Sequence, residues 1–163
     1  LEAAEKYFRK VSRGVAASVV FSIETVSESV IGDVNQLHFL LENLIDEALS
    51  VPVAGKIRLT CAVEDDFVRF LFTDMRREKT REELNQLFYP NLACMTAGEK
   101  GKLCGTEYLL CKQIIRDHDE FAGRRGCRIN AEPAEKGGFA VYFTAPLSKK
   151  NSAGKIMAFL GAN

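Results

Sequence analysis

The stretch D-V-N-Q-L-H-F-L-L-E-N-L-I-D-E-A-L, Asp33 to Leu49, decides the architecture. Apolar residues recur at Val34, Leu37, Leu41, Leu44 and Ala48, with Leu40 and Ile45 widening the stripe, and this is the spacing of an amphipathic helix. Asp33 stands where an N-cap belongs, since its carboxylate can accept from backbone N–H groups that a helix start leaves free. Pro52 closes the pattern. Asn43 and Glu47 lie four residues apart and therefore on one face. They flank the apolar stripe, where they can border a cleft.

On either side of this helix the period changes. Ser18–Glu24 alternates β-branched and aromatic residues and predicts a strand. Lys56–Val63 and Phe67–Thr73 are two more, and Glu64-Asp65-Asp66 between them predicts a hairpin. Thr80-Arg81-Glu82-Glu83 has the form of a capping box opening a short helix to Phe88. Pro90–Cys104 has no period and contains Gly98 and Gly101, which predicts a long loop of the kind that is functional or mobile. Thr106–His118 predicts another helix, with Tyr108, Cys111 and Ile115 on one face and Leu110 and Ile114 beside them. Gly126–Ala131 and Phe139–Ala145 predict two closing strands around a turn at Lys136-Gly137-Gly138. Strand pairs mixed with helices in this order predict an α+β fold: a two-layer α/β sandwich of one mixed sheet with helices on one face.

The expected division is a linker or the end of a connecting helix over 1–14, one domain over 15–147 and a tail over 148–163. Leu1–Val11 reads as the end of a connecting helix, the alternative being a frayed terminus. In the tail, Lys155–Leu160 has some helical character and is open to other readings, disorder or an interaction segment.

Composition excludes several functions. Lysines and arginines number 22, as do aspartates and glutamates. A formal charge of zero gives no basic footprint for nucleic acid. Apolar runs such as Phe67–Phe72 are far too short to span a bilayer. Glu2, Glu5, Lys6, Arg9 and Lys10 at the start exclude a secretory signal or membrane anchor there. The five cysteines form no C-x-x-C pair, which argues for free thiols in a reducing cytoplasm rather than disulfides or zinc. His38 and His118 are expected to be structural.

The order of elements, together with three sequence blocks, resembles the ATPase domain of sensor histidine kinases, gyrase, heat-shock chaperone ATPases and mismatch-repair proteins, the Bergerat fold. The blocks are Asp33–Leu49, G-T-E-Y-L-L-C-K-Q-I-I-R-D-H at Gly105–His118 and G-G-F-A-V-Y-F-T-A-P-L at Gly137–Leu147. The resemblance runs from about Ser18 to Leu147 and implies a bacterial, cytoplasmic two-component signalling protein that binds Mg·ATP.

Residue by residue, the resemblance places Asn43 at an acidic or amide position of the first helix and Glu47 at that of the asparagine that binds magnesium. Glu47 can ligate magnesium but adds negative charge beside a triphosphate; the alternative, favoured from sequence, is a solvated helix flank. Asp74 stands where the family's aspartate accepts the adenine amino hydrogen, or it simply starts a turn. The two glycines that follow that aspartate in the family are here Arg76 and Glu78, and a long side chain at Arg76 either fills the adenine slot or tilts out of it. Of the family's phosphate-binding glycines only Gly105 remains, and Glu107 falls in the first turn of the next helix, where its charge opposes a phosphate. Phe139 replaces a threonine. Phe88-Tyr89-Pro90 resembles the phenylalanine box, with Phe88 expected to anchor the loop to the core.

These replacements predict a degenerate domain, with weak or no ATP binding, no catalytic residue and a regulatory or protein-interaction role toward other domains of a parent signalling protein or a protein partner. One alternative is an active divergent kinase or ATPase, with ATP as ligand, magnesium on Glu47 and Lys100 and Lys102 on the phosphates. Another is a module for a different anion, bound by Arg76 and Arg77.

Overall fold

The computed structural model describes residues 1–15, 18–89, 106–121 and 126–148, apart from the side chains of residues 106, 107 and 121. The elements are α1 (Glu2–Val11), a 3-10 turn (Ser12–Gly14), β1 (Val19–Glu24), α2 (Val34–Leu49), β2 (Gly55–Glu64), β3 (Phe67–Asp74), α3 (Arg81–Gln86), α4 (Thr106–Phe121), β4 (Ile129–Pro133) and β5 (Phe139–Pro146). The five strands form one sheet in the order β1-β2-β3-β5-β4. β1 runs parallel to β2 and every other pair is antiparallel, so the sheet is mixed, as expected.

The pleat sorts side chains between two faces. On β3, Val68, Phe70, Phe72 and Asp74 are buried while the residues between them are half-exposed. Their ladder partners Leu59 and Ile57 on β2, and Val141, Phe143 and Ala145 on β5, are buried with them. Leu40, Leu41, Leu44, Ile45 and Ala48 of α2, with Cys111, Ile114 and Ile115 of α4, join the same core. Phe70 and Phe143 stack at 4.7 Å between centroids. Val34, at the head of the predicted stripe, is 65% exposed and does not join the core.

The local signals act as their chemistry requires. Asp33 caps α2, accepting from the N–H groups of Asn35 and Gln36. Thr80 and Glu83 form the reciprocal capping box of α3. Asp65 takes φ 53° in the hairpin, and Gly137 and Gly138 take φ 90° and 81° in the last turn. α2 and α4 run antiparallel, tied at one end by His118, whose Nε2 accepts from the Asp33 N–H at 2.9 Å while Nδ1 donates to the Ile114 carbonyl at 2.8 Å. Both ring nitrogens are committed, so His118 has the structural role expected.

One expectation needs correction, and one choice between readings is decided. β4 begins at Ile129 rather than Gly126, because the N–H groups of Gly126 and Cys127 bond the Asp119 carboxylate and that of Arg128 bonds the Thr144 hydroxyl. Leu1–Val11 is not frayed: over Glu2–Val11 it is a helix that buries Ala4 and Phe8. Phe8 meets Phe21 of β1 at 4.9 Å, and Tyr7 donates to the Asp46 carboxylate of α2. Burial and that carboxylate push the Tyr7 hydroxyl up to about 12.

Candidate functional site

The ends of α2 and β3 and the first turns of α4 meet at one edge of the core, and the meeting place is charged. Asp74 closes β3 on its core face and is only 1% exposed. Its Oδ1 accepts from the Arg76 backbone N–H at 3.0 Å and from Arg76 Nε at 2.8 Å. Its Oδ2 accepts from Arg76 Nη2 and Arg77 Nε, each at 2.8 Å. A carboxylate has about four lone-pair sites, so the acceptor capacity of Asp74 is used up.

Arg76, the residue in place of the first glycine, folds inward and its side chain is wholly buried. Nη1 donates to the Val53 carbonyl at 3.0 Å and Nη2 to the Ala48 carbonyl at 2.6 Å. Ala48 belongs to the last turn of α2, where carbonyls lack helical partners and a cation is favoured by the helix dipole. A guanidinium therefore closes off α2, the loop after it and β3 together.

Arg77 reaches the other way. Its Nη1 and Nη2 grip Glu47 Oε1 and Oε2 at 3.0 and 2.8 Å, and the Tyr108 hydroxyl of α4 donates to Oε2 at 2.6 Å. The Arg77 guanidinium also lies 5.4 Å from the centroid of the buried Phe139 ring, with Lys79 Nζ at 5.2 Å. Glu47 is thus not the solvated helix flank expected: its side chain is 17% exposed and held by three hydrogen bonds. The sequence could not reveal this, because its partners lie 30 and 61 residues away.

These contacts set the charges. Burial pushes the Asp74 carboxyl up, but hydrogen bonds from Arg76 and the charges of Arg77 and Arg76 outweigh it and hold the group below the usual aspartate range. Burial works against the Arg77 charge, and the Glu47 and Asp74 carboxylates more than restore it. Tyr108 is pushed well above the usual tyrosine range by burial, then by the Glu47 charge and hydrogen bond. Asp74 and Arg77 therefore both keep their charges at neutral pH.

The other predicted residues sit around this cluster or outside the described residues. Asn43 is 9% exposed, and its Nδ2 donates back to the Phe39 carbonyl of its own helix at 2.8 Å. Glu78, in place of the second glycine, accepts from the Gly138 N–H at 2.8 Å and so caps the β4–β5 turn. Phe88 is buried and meets Tyr108 edge-on at 5.9 Å, the anchoring role expected of it. Gly105, the side chain of Glu107, Lys100, Lys102 and the tail from residue 149 lie outside the described residues. Tyr108 was read from sequence only as part of an apolar face; the signal available was its hydroxyl, which needs a partner once buried.

Glu47 and Asp74, the positions that the resemblance assigns to magnesium and adenine, are both engaged by partners within the chain. Both oxygens of Glu47 are hydrogen-bonded, with the Arg77 cation against them. Asp74 has no acceptor site left for an amino group. Among the described residues no three or more His, Cys, Asp or Glu side chains come together as a group that could hold a metal ion, and no helix is long and apolar enough to cross a membrane.

Comparison with known proteins agrees with the architecture. No curated protein sequence matches the chain significantly. Among solved structures, the nucleotide-free catalytic domain of histidine kinase ThkA is similar at TM-score 0.66 and 24% identity, over 89% of this chain and 90% of that one. The mycobacterial sensor histidine kinase MprB is similar at TM-score 0.68 and 19% identity, over 90% and 94%. Full-length ShkA in complex with AMPPNP is similar at TM-score 0.64 and 16% identity, over 91% of this chain but 30% of that longer one. At these identities the likeness is one of fold. The sequence profile of the histidine kinase-, DNA gyrase B- and HSP90-like ATPases matches residues 32–149, most of the chain, and the protein belongs to that family.

Proposed function

We propose that this domain is a degenerate member of its family, a bacterial, cytoplasmic signalling module that binds ATP weakly or not at all and acts through contacts with other domains of its parent protein or with a partner protein. The observation that carries this reading is the closed cluster at Asp74. The position matching the family's adenine acceptor already accepts four hydrogen bonds from two arginines that stand beside it in sequence. For adenine to bind there, Arg76 would have to leave a fully buried ion pair and two backbone carbonyls. Removing one partner of such a pair costs about 3–5 kcal/mol, which corresponds to a loss of about a hundred-fold or more in affinity. Phosphoryl transfer depends on holding metal and phosphates, and at the position matching the metal ligand Glu47 is occupied by Arg77 and Tyr108. Both guanidiniums are spent on internal partners, which also argues against their serving a different anion.

A role inside a larger protein is supported by the relatives: the part of full-length ShkA that this chain resembles is under a third of it. Isothermal titration with Mg·ATP tests the proposal. We expect no saturable heat at submillimolar nucleotide. Binding at about 10 μM or tighter, near 7 kcal/mol, would overturn it.

A further inference from the structure

We propose that the open face of the sheet, on the side away from the Asp74 cluster, binds a small organic carboxylic acid at Arg58. The ladders place Ser22, Arg58, Thr73, Ala140 and Glu132 in one row across all five strands. They alternate with the core residues and so point away from the helices. Thr73 and Ala140 are small, and the surface dips between them and the β4–β5 hairpin into a cleft of about 310 Å³. Small-molecule sites begin at about this size, roughly 300 Å³.

The charges in the cleft are unequally served. Arg69 is neutralised: it bonds Glu64 and Glu132 and lies 4.2 Å over the Tyr142 ring. Arg58 is held more loosely: it forms a salt bridge with the exposed Glu24, but at 3.8 Å from Nε the contact is too long for a hydrogen bond. That Nε is buried without an acceptor, and so is the Ser22 hydroxyl beside it in the ladder. Arg58 donates no hydrogen bond to any described residue, an uncommon state for a two-thirds-buried guanidinium. Lys136, next to Glu135 on the hairpin rim, forms no ion pair among the described residues.

Leu71, Met75, Pro133 and Ala134 supply an apolar wall. A carboxylate matches the planar fork of Arg58, and an attached short alkyl chain covers that wall. Phosphate would satisfy the charge and leave the wall bare, so the recognised chemistry is an acid with an apolar body.

Titrating the isotope-labelled protein with butyrate, and separately with inorganic phosphate, reads the site through backbone amide shifts. We expect saturable butyrate shifts confined to Thr60, Thr73, Ala140 and Gly137, with affinity falling on the order of ten-fold in Arg58→Met. Lys136→Met on the exposed hairpin is a second variant, expected to weaken butyrate several-fold even if Arg58→Met proves unstable. Absence of saturation, unchanged butyrate binding in a folded variant, or phosphate binding as tightly as butyrate would overturn the assignment.

Discussion

Arg76 and Asp74, two residues apart in the chain, form an ion pair with Nη2 2.8 Å from Oδ2 and with both side chains sealed from solvent. The same guanidinium ties Ala48 at the end of α2 and Val53 beyond it to the end of β3. Where the resemblance puts a glycine, two residues after Asp74, a side chain joins those elements. A buried pair of this kind is a weak source of net stability compared with apolar packing, yet breaking one half of it is costly.

Arg76→Met should therefore destabilise the domain by about 3–5 kcal/mol. The methionine fills part of the space but leaves two carbonyls without their donor and Asp74 with only Arg77 and the backbone N–H of residue 76. Urea unfolding followed by circular dichroism measures this, and a loss below 1 kcal/mol would show that the pair does not hold the site shut.

Arg76→Gly combined with Glu78→Gly puts glycines back at the two replaced positions. We expect lower stability together with new binding of adenosine or ADP, because Asp74 regains free acceptor sites. Calorimetry on the folded double variant checks it; no gain over the parent chain would mean that another replacement excludes the base.

The acid limb of stability should depend on Asp74. Its carboxyl is held below the ordinary value of about 3.9 in the fold. The resulting stabilisation is complete above that value and disappears as pH falls below it toward the folded value, because the unfolded chain takes up the proton first. Thermal unfolding from pH 6 down to about pH 2 should show a steep decline that Asp74→Asn flattens.

Glu47→Ala should cost on the order of 2–3 kcal/mol, since it strands the Tyr108 hydroxyl and both terminal nitrogens of Arg77. Tyr108→Phe should cost about 1 kcal/mol, because Glu47 keeps Arg77. The double variant should lose less than the sum of the two, as residues sharing one hydrogen bond do.

Gly138→Ala should be among the most damaging single changes in the chain. A Cβ there would lie 2.1 Å from the Asp74 carbonyl oxygen, and φ is 81°. We expect a loss of at least about 3 kcal/mol or failure to fold, against a small effect for Gly14→Ala, whose Cβ would meet nothing within 4 Å.

The sequence by itself determined the elements and the family. Helix stripes, alternating strands, the Asp33 cap, the Thr80–Glu83 box and the Gly137-Gly138 turn are local rules, written within a few residues of where they act. It also marked Arg76, Glu78 and Glu47 as replacements, because each breaks a pattern at a known spacing. Only the tertiary structure decided what the replacements do. The direction of Arg76 depends on two carbonyls more than twenty residues upstream, and the state of Glu47 depends on Arg77 and Tyr108, 30 and 61 residues away. Charged side chains of this length can reach water as easily as a partner, and the choice rests on which distant groups the fold brings near. Local periodicity carries no information about that.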